Sequence, residues 1–282
     1  MLLFSVLPLL ILQVGPNPAV DAFPGTPEEL RDRPSREQAV PEQPRQQSRL
    51  SQCLLSAGNN AEEALDYAQA WRQMAQSDLE LAQTSHCAGL ALVRLERFDD
   101  ALRAFVAARE EIGGTNPAYR ARLAAMAGNA AMAAGDAQAA LVHFESAEAD
   151  AAEASDGRMR AGFAIDRARA LVEAGQNELA VAALASARES DPANARAWLL
   201  SATLSRRLER LGEAQRQIEY AADLAPRDPA IGLEAGVIAA MAGREADARS
   251  SFDSVIGVAP DSPEAGTARK YLEQLNGKAA PE

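Results

Sequence analysis

A recurring interval of 34 residues constrains this chain more than any other feature. Trp198, Ala202, Ala214, Ile218 and Pro226 are followed, each 34 positions later, by Gly232, Gly236, Ala248, Phe252 and Pro260. Ala168, Ala180, Leu184 and Pro192 precede the same columns by the same 34 positions. Three looser copies lie upstream. They carry Leu55, Ala64, Ala68 and Trp71; then Gly89, Ala101, Phe105 and Ala108; then Gly128, Ala140, Phe144 and Ala147. Units therefore start at about 45, 82, 121, 161, 195 and 229. The early spacings of 37, 39 and 40 predict a few residues inserted between helices there. A chain self-similar at this period cannot bury its apolar surface within one unit, so it folds by stacking neighbours.

Each unit reads as two antiparallel helices. The chain is 48% hydrophobic but only 5% aromatic, too poor in aromatic side chains for a sandwich or barrel. Small residues sit midway along the first helix and early in the second, where they let two backbones approach. Turns fall at Leu95 to Phe98, Ala134-Gly135-Asp136, Ala174-Gly175-Gln176, Arg210-Leu211-Gly212 and Ala242-Gly243-Arg244. Their glycines are expected to supply the positive φ that ends a helix. Pro192, Pro226 and Pro260 stop the second helices of the later units.

The pattern of small residues, Phe and Pro at these positions resembles the tetratricopeptide repeat, a 34-residue helix–turn–helix unit. The resemblance covers residues 45 to about 262. The Tyr of the family pattern is replaced by Leu92, Ala131, Leu171, Ser205 and Ala239, and only Trp198 fills the first aromatic position. The fold this implies is all-α: a right-handed superhelical solenoid of about six helix-turn-helix repeats, spanning 45–276. Its last element is a capping helix over 263–276. Ser262 can cap that helix, Pro263 suits its first position, and Tyr271, Leu272 and Leu275 give it an apolar face.

In the resembled family the first helix of each unit lines a concave groove through its second, fifth, ninth, twelfth and thirteenth residues. Transferred to this sequence, those positions hold seven arginines: Arg49, Arg94, Arg122, Arg169, Arg196, Arg206 and Arg207. The one acid among them is Glu173, although the chain has 40 acids against 28 bases. The sixth unit contributes apolar Leu233, Val237 and Met241. The set implies a site for an acidic or carboxylate-bearing peptide segment, held by charge-assisted Arg pairs and an apolar anchor. The same arginines would equally be the default polar residues of a solvated face, since only Lys270 and Lys278 are lysines. Asn129 beside Arg122 is the sole echo of the family's carboxylate clamp.

Cys53 and Cys87 lie on first helices of adjacent units. Facing residues on such helices can meet the Cα separation a disulfide needs, which leaves two alternatives, a bridge or two buried thiols. His86 and Cys87 are adjacent on one helix and point about 100° apart, so they do not form a nucleophile and base. His143 precedes a core Phe and reads as structural. No Gly-rich phosphate loop and no Cys/His set at metal spacing is present. No catalytic residue, metal or cofactor is expected.

Residues 2–14, LLFSVLPLLILQV, form an apolar run too short to span a bilayer. With Val20 and Ala22 placed for cleavage after Ala22, residues 1–22 read as a secretory signal peptide, the alternative being an uncleaved apolar tail. No Cys lies there to carry a lipid anchor. Residues 23–44, with Pro24, Pro27, Pro34, Pro41 and Pro44, read as a Pro-rich disordered linker, and 277–282 as a tail. A net charge of −12 argues against nucleic acid. The expectation is a periplasmic, non-catalytic protein–protein adaptor with no stable membrane span once the signal is cleaved. A self-associating scaffold and a regulatory repeat subunit of an enzyme complex remain the alternatives.

Overall fold

A computed structural model describes residues 48–278. Among them are thirteen α-helices and no strand. They run α1 (Arg49–Asn59), α2 (Ala61–Arg72), α3 (Asp78–Arg94), α4 (Phe98–Glu111), α5 (Pro117–Ala133), α6 (Ala137–Glu153) and α7 (Gly157–Glu173). The series continues α8 (Asn177–Ser190), α9 (Ala195–Arg207), α10 (Leu211–Leu224), α11 (Pro229–Met241), α12 (Glu245–Val258) and α13 (Pro263–Lys278). Each helix packs on the next in the chain, making six hairpins and a closing helix. This is an all-α solenoid of helical repeats. First helices also touch their counterparts, α1 with α3, α9 with α11 and α11 with α13, and no two second helices make a comparable contact. The first helices therefore share the closer-packed side of the stack.

The longer early units are explained differently from the sequence expectation. Helices α3, α5 and α7 each have 17 residues, whereas α9 and α11 have 13. They begin at Asp78, Pro117 and Gly157, four residues before positions 82, 121 and 161. The added residues are mostly one more helical turn, not inserted connections. Ser77, Asn116 and Asp156 fix these starts by accepting backbone N–H groups from Glu80, Tyr119 and Met159.

The ends follow local chemistry. Gly135, Gly175 and Gly243 adopt positive φ just past their first helices. In the fifth unit, however, that role falls to Glu209 (φ 59°), and Gly212 lies inside α10. The left-handed residue must follow the C-cap, here Leu208, wherever a glycine happens to be. Its C-terminal motif still closes, with the Arg210 N–H donating to the Ser205 carbonyl at 2.9 Å. Before Pro192, Pro226 and Pro260, residues Asp191, Ala225 and Ala259 leave the helical region with φ near −140°.

The core is built on volume complementarity at a fixed offset. Gly89, Gly128 and Gly236 each face a phenylalanine sixteen residues on: Phe105, Phe144 and Phe252. A Cβ on Gly128 would lie 2.7 Å from the Phe144 ring, so only hydrogen fits. In the two intervening units the column holds Ala168 and Ala202, and the matching second-helix residues are Leu184 and Ile218, all buried. At the C-terminal end Phe252 stacks on Tyr271 of α13 at 5.3 Å, and Ser262 caps α13 through the Ala265 N–H.

Candidate functional site

An open cleft of about 310 Å³ lies between α7 and α9 on the first-helix side. Ile165, Arg169 and Val172 recur at helical spacing on α7, and Leu200, Thr203, Leu204 and Arg207 on α9, so each set lies along one side of its helix. Met132 of α5 and Leu184 of α8 complete the apolar floor. Arg169, Arg207 and Glu173 supply the charges of its lining. The Thr203 hydroxyl donates to the Leu199 carbonyl at 3.0 Å, which leaves the lining dominated by hydrocarbon and guanidinium. Arg169 donates to Asp166 at 3.2 Å. Burial pushes the Asp166 carboxyl above its ordinary range, opposed by Arg169 and Arg196.

The remaining expected site residues divide into three groups. Arg49, Arg94, Arg122, Asn129 and Arg196 are exposed on α1, α3, α5 and α9, outside this cleft. Arg206 is not available: its Nε and Nη2 donate to both oxygens of Glu234 at 2.6 and 3.3 Å, and its Nη1 lies 3.9 Å from the Met241 sulfur. Leu233 and Val237 are not an open anchor pocket either. They pack into the last core cluster together with Tyr271, Leu272 and Leu275 of the closing helix, whereas Met241 stays half exposed. The physical reason is the same in both cases, because an unpaired charge or apolar face beside a neighbouring helix finds its partner within the stack. Position-by-position transfer missed Leu200 and Leu204 in the cleft and the acids Asp166 and Glu234. Asp166, Leu200 and Glu234 are each the sixth residue counted from the unit starts at 161, 195 and 229, the position that would have revealed them.

The cysteines form a disulfide joining α1 to α3, with Cα atoms 6.0 Å apart and both residues fully buried. Beside it, the His86 Nδ1 lies 2.9 Å from the Tyr119 hydroxyl. Burial lowers the His86 pKa to about 4 and raises that of Tyr119 to about 12. A neutral, enclosed imidazole next to a bridged cysteine is a packing group. Among the described residues no three His, Cys, Asp or Glu side chains gather as a metal site, and no helix is long and apolar enough to cross a membrane.

The opposite side of the stack holds a second arrangement. Trp198 lies against Tyr220 at 4.2 Å between ring centres with the two planes tilted by 33°, and the Arg188 guanidinium lies 4.7 Å from the indole centre. The indole N–H donates to the Pro192 carbonyl at 2.9 Å.

Stacked helical hairpins with a shaped groove between first helices define a helical-repeat solenoid. The sequence profile of the tetratricopeptide repeat family matches residues 165–214 and 201–263. Residues 165–263 are tetratricopeptide repeats, and the same helical hairpin unit continues upstream of the matched region. No curated protein matches the sequence. Solved structures with the same fold include YrrB, described as "a TPR protein with an unusual peptide-binding site". It is 22% identical over 67% of this chain and 92% of its own, with a TM-score of 0.50. PilF of Pseudomonas aeruginosa is 13% identical over 80% of this chain and 96% of its own, TM-score 0.58. PilW, described as a type IV pilus biogenesis factor, is 15% identical over 78% and 96%, TM-score 0.59.

Proposed function

We propose that this chain is a non-catalytic protein–protein adaptor whose first-helix face takes an acidic or carboxylate-bearing peptide segment. The observation that carries the reading is the α7–α9 cleft, where Arg169 and Arg207 stand beside an apolar floor. An acidic side chain or terminal carboxylate would pair with the guanidinium groups, and a neighbouring apolar side chain would enter the floor. Arg207 is exposed, and no ion pair holds it among the described residues. Glu173 on the same lining sets selectivity, because it repels a carboxylate placed at its end of the cleft. The setting proposed is the bacterial envelope, supported by the apolar run 2–14 with small residues before Phe23, which lie outside the described residues. The description of PilW as a pilus biogenesis factor is compatible with that setting.

The test is binding of a fluorescent Glu-rich peptide bearing one Leu or Phe to the wild type and to R169E/R207E. The double variant should bind at least tenfold more weakly, with a salt dependence that is correspondingly reduced. Equal binding by both proteins rejects the cleft. Arg206 is unsuitable for this purpose, since its reversal would face Glu234 and damage the fold. N-terminal sequencing of protein from fractionated bacteria addresses export: a mature chain beginning at Phe23 supports it, and an intact Met1 in the cytoplasmic fraction rejects it.

A further inference from the structure

The tilted Trp198–Tyr220 pair borders a second open cleft, of about 480 Å³, between α8 and α10. Its lining is aromatic and of mixed charge: Trp198 and Tyr220 with Arg188, Arg216, Glu189 and Glu213. Tyr220 is 45% exposed, so part of its ring is open to a ligand. Exposed aromatic surface flanked by acids is the chemistry that receives a proline-rich segment, whose rings lie on aromatic faces while a flanking cation pairs with a carboxylate.

This sequence contains such a segment. Pro41-Glu42-Gln43-Pro44-Arg45 spaces two prolines three residues apart, one turn of polyproline II, with an arginine directly after. Its charges complement the cleft, Arg45 matching Glu189 and Glu213, and Glu42 matching Arg188 and Arg216. Pro44 is four residues before Ser48, a reach of at most about 14 Å. The cleft belongs to the fifth hairpin, four packing steps from the first, roughly 30–40 Å at 8–10 Å per layer. A chain cannot place its own Pro44 there. We infer that the outer cleft at Trp198 and Tyr220 receives the Pro41–Arg45 segment of a second copy of this chain. The contact is heterologous, so it joins copies head to tail into open chains or a closed ring.

Trp198 makes the test direct. The only other tryptophan, Trp71, is 2% exposed and reports little on an added ligand. A synthetic peptide spanning Arg36–Gln47 is titrated into the full chain while tryptophan emission is followed. Saturable change is expected, weakened roughly tenfold or more by P41A/P44A in the peptide or by Tyr220→Ala in the protein. R169E/R207E should leave the titration unchanged, which separates this site from the first-helix cleft. In sedimentation velocity, the full chain should show concentration-dependent association that P41A/P44A and Tyr220→Ala abolish. No emission change at millimolar peptide, binding indifferent to the prolines, loss of binding in R169E/R207E, or a full chain that stays monomeric would each overturn the proposal.

Discussion

The fixed pairing of a first-helix glycine with a second-helix phenylalanine makes a quantitative prediction. Consider Gly236→Ala. In a helix interior the change alone favours folding by ~1 kcal/mol. Here the new methyl would penetrate the Phe252 ring, and overpacking of this kind costs ~1–3 kcal/mol. The net effect is a loss of about 0–2 kcal/mol, opposite in sign to propensity. Phe252→Ile alone leaves a void and costs roughly 1–2 kcal/mol. Together the two changes recreate the Ala202–Ile218 pair of the preceding unit, which is fully buried and packed. The added methyl then occupies space the smaller side chain has vacated. The double variant should be more stable than the sum of the singles by about 2 kcal/mol, and the propensity gain cancels within the cycle. Urea unfolding followed by circular dichroism measures it, with hydrogen exchange of α11 and α12 alongside because stacked repeats can open in parts. Additivity within about 0.5 kcal/mol would refute steric complementarity as the rule that keys the hairpins.

Two further outcomes follow from the N-terminal hairpins. The bridge between Cys53 and Cys87 closes a loop of sequence separation 34, so Cys53→Ala with Cys87→Ala should lower stability by roughly 3–4 kcal/mol. The increased hydrogen exchange should concentrate in α1–α3; identical unfolding midpoints with and without reductant would dismiss the staple. His86 is neutral in the fold with its pKa depressed to about 4, so the unfolded chain binds the proton first as pH falls from about 6.5. Stability should therefore decline between about pH 6.5 and 4, by up to roughly 3 kcal/mol from this group. His86→Gln should flatten that part of the profile, and an unchanged profile would show that other groups dominate.

That hairpins stack, and where they touch, was legible in the order of residues alone. The 34-residue interval, the Gly or Ala columns and the Pro stops are local facts. They involve backbone conformation and the volume of one facing side chain, so they survive translation from letters to structure. The cysteine pair was legible to the same extent: adjacent first helices brought the two within reach, and the fold decided that they bridge. The binding face was legible only in outline. Arg169 and Arg207 line a cleft, whereas Arg206 is bound to Glu234 and Leu233 with Val237 are taken up beside the closing helix. Which arginine is left over depends on the acid presented by the first helix of the next unit, a contact 28 residues distant that no pattern within one unit contains. Helix lengths were likewise settled by the fold. The extra turns of α3, α5 and α7 leave the small-residue columns in register, so periodicity alone could not distinguish a longer helix from a longer loop.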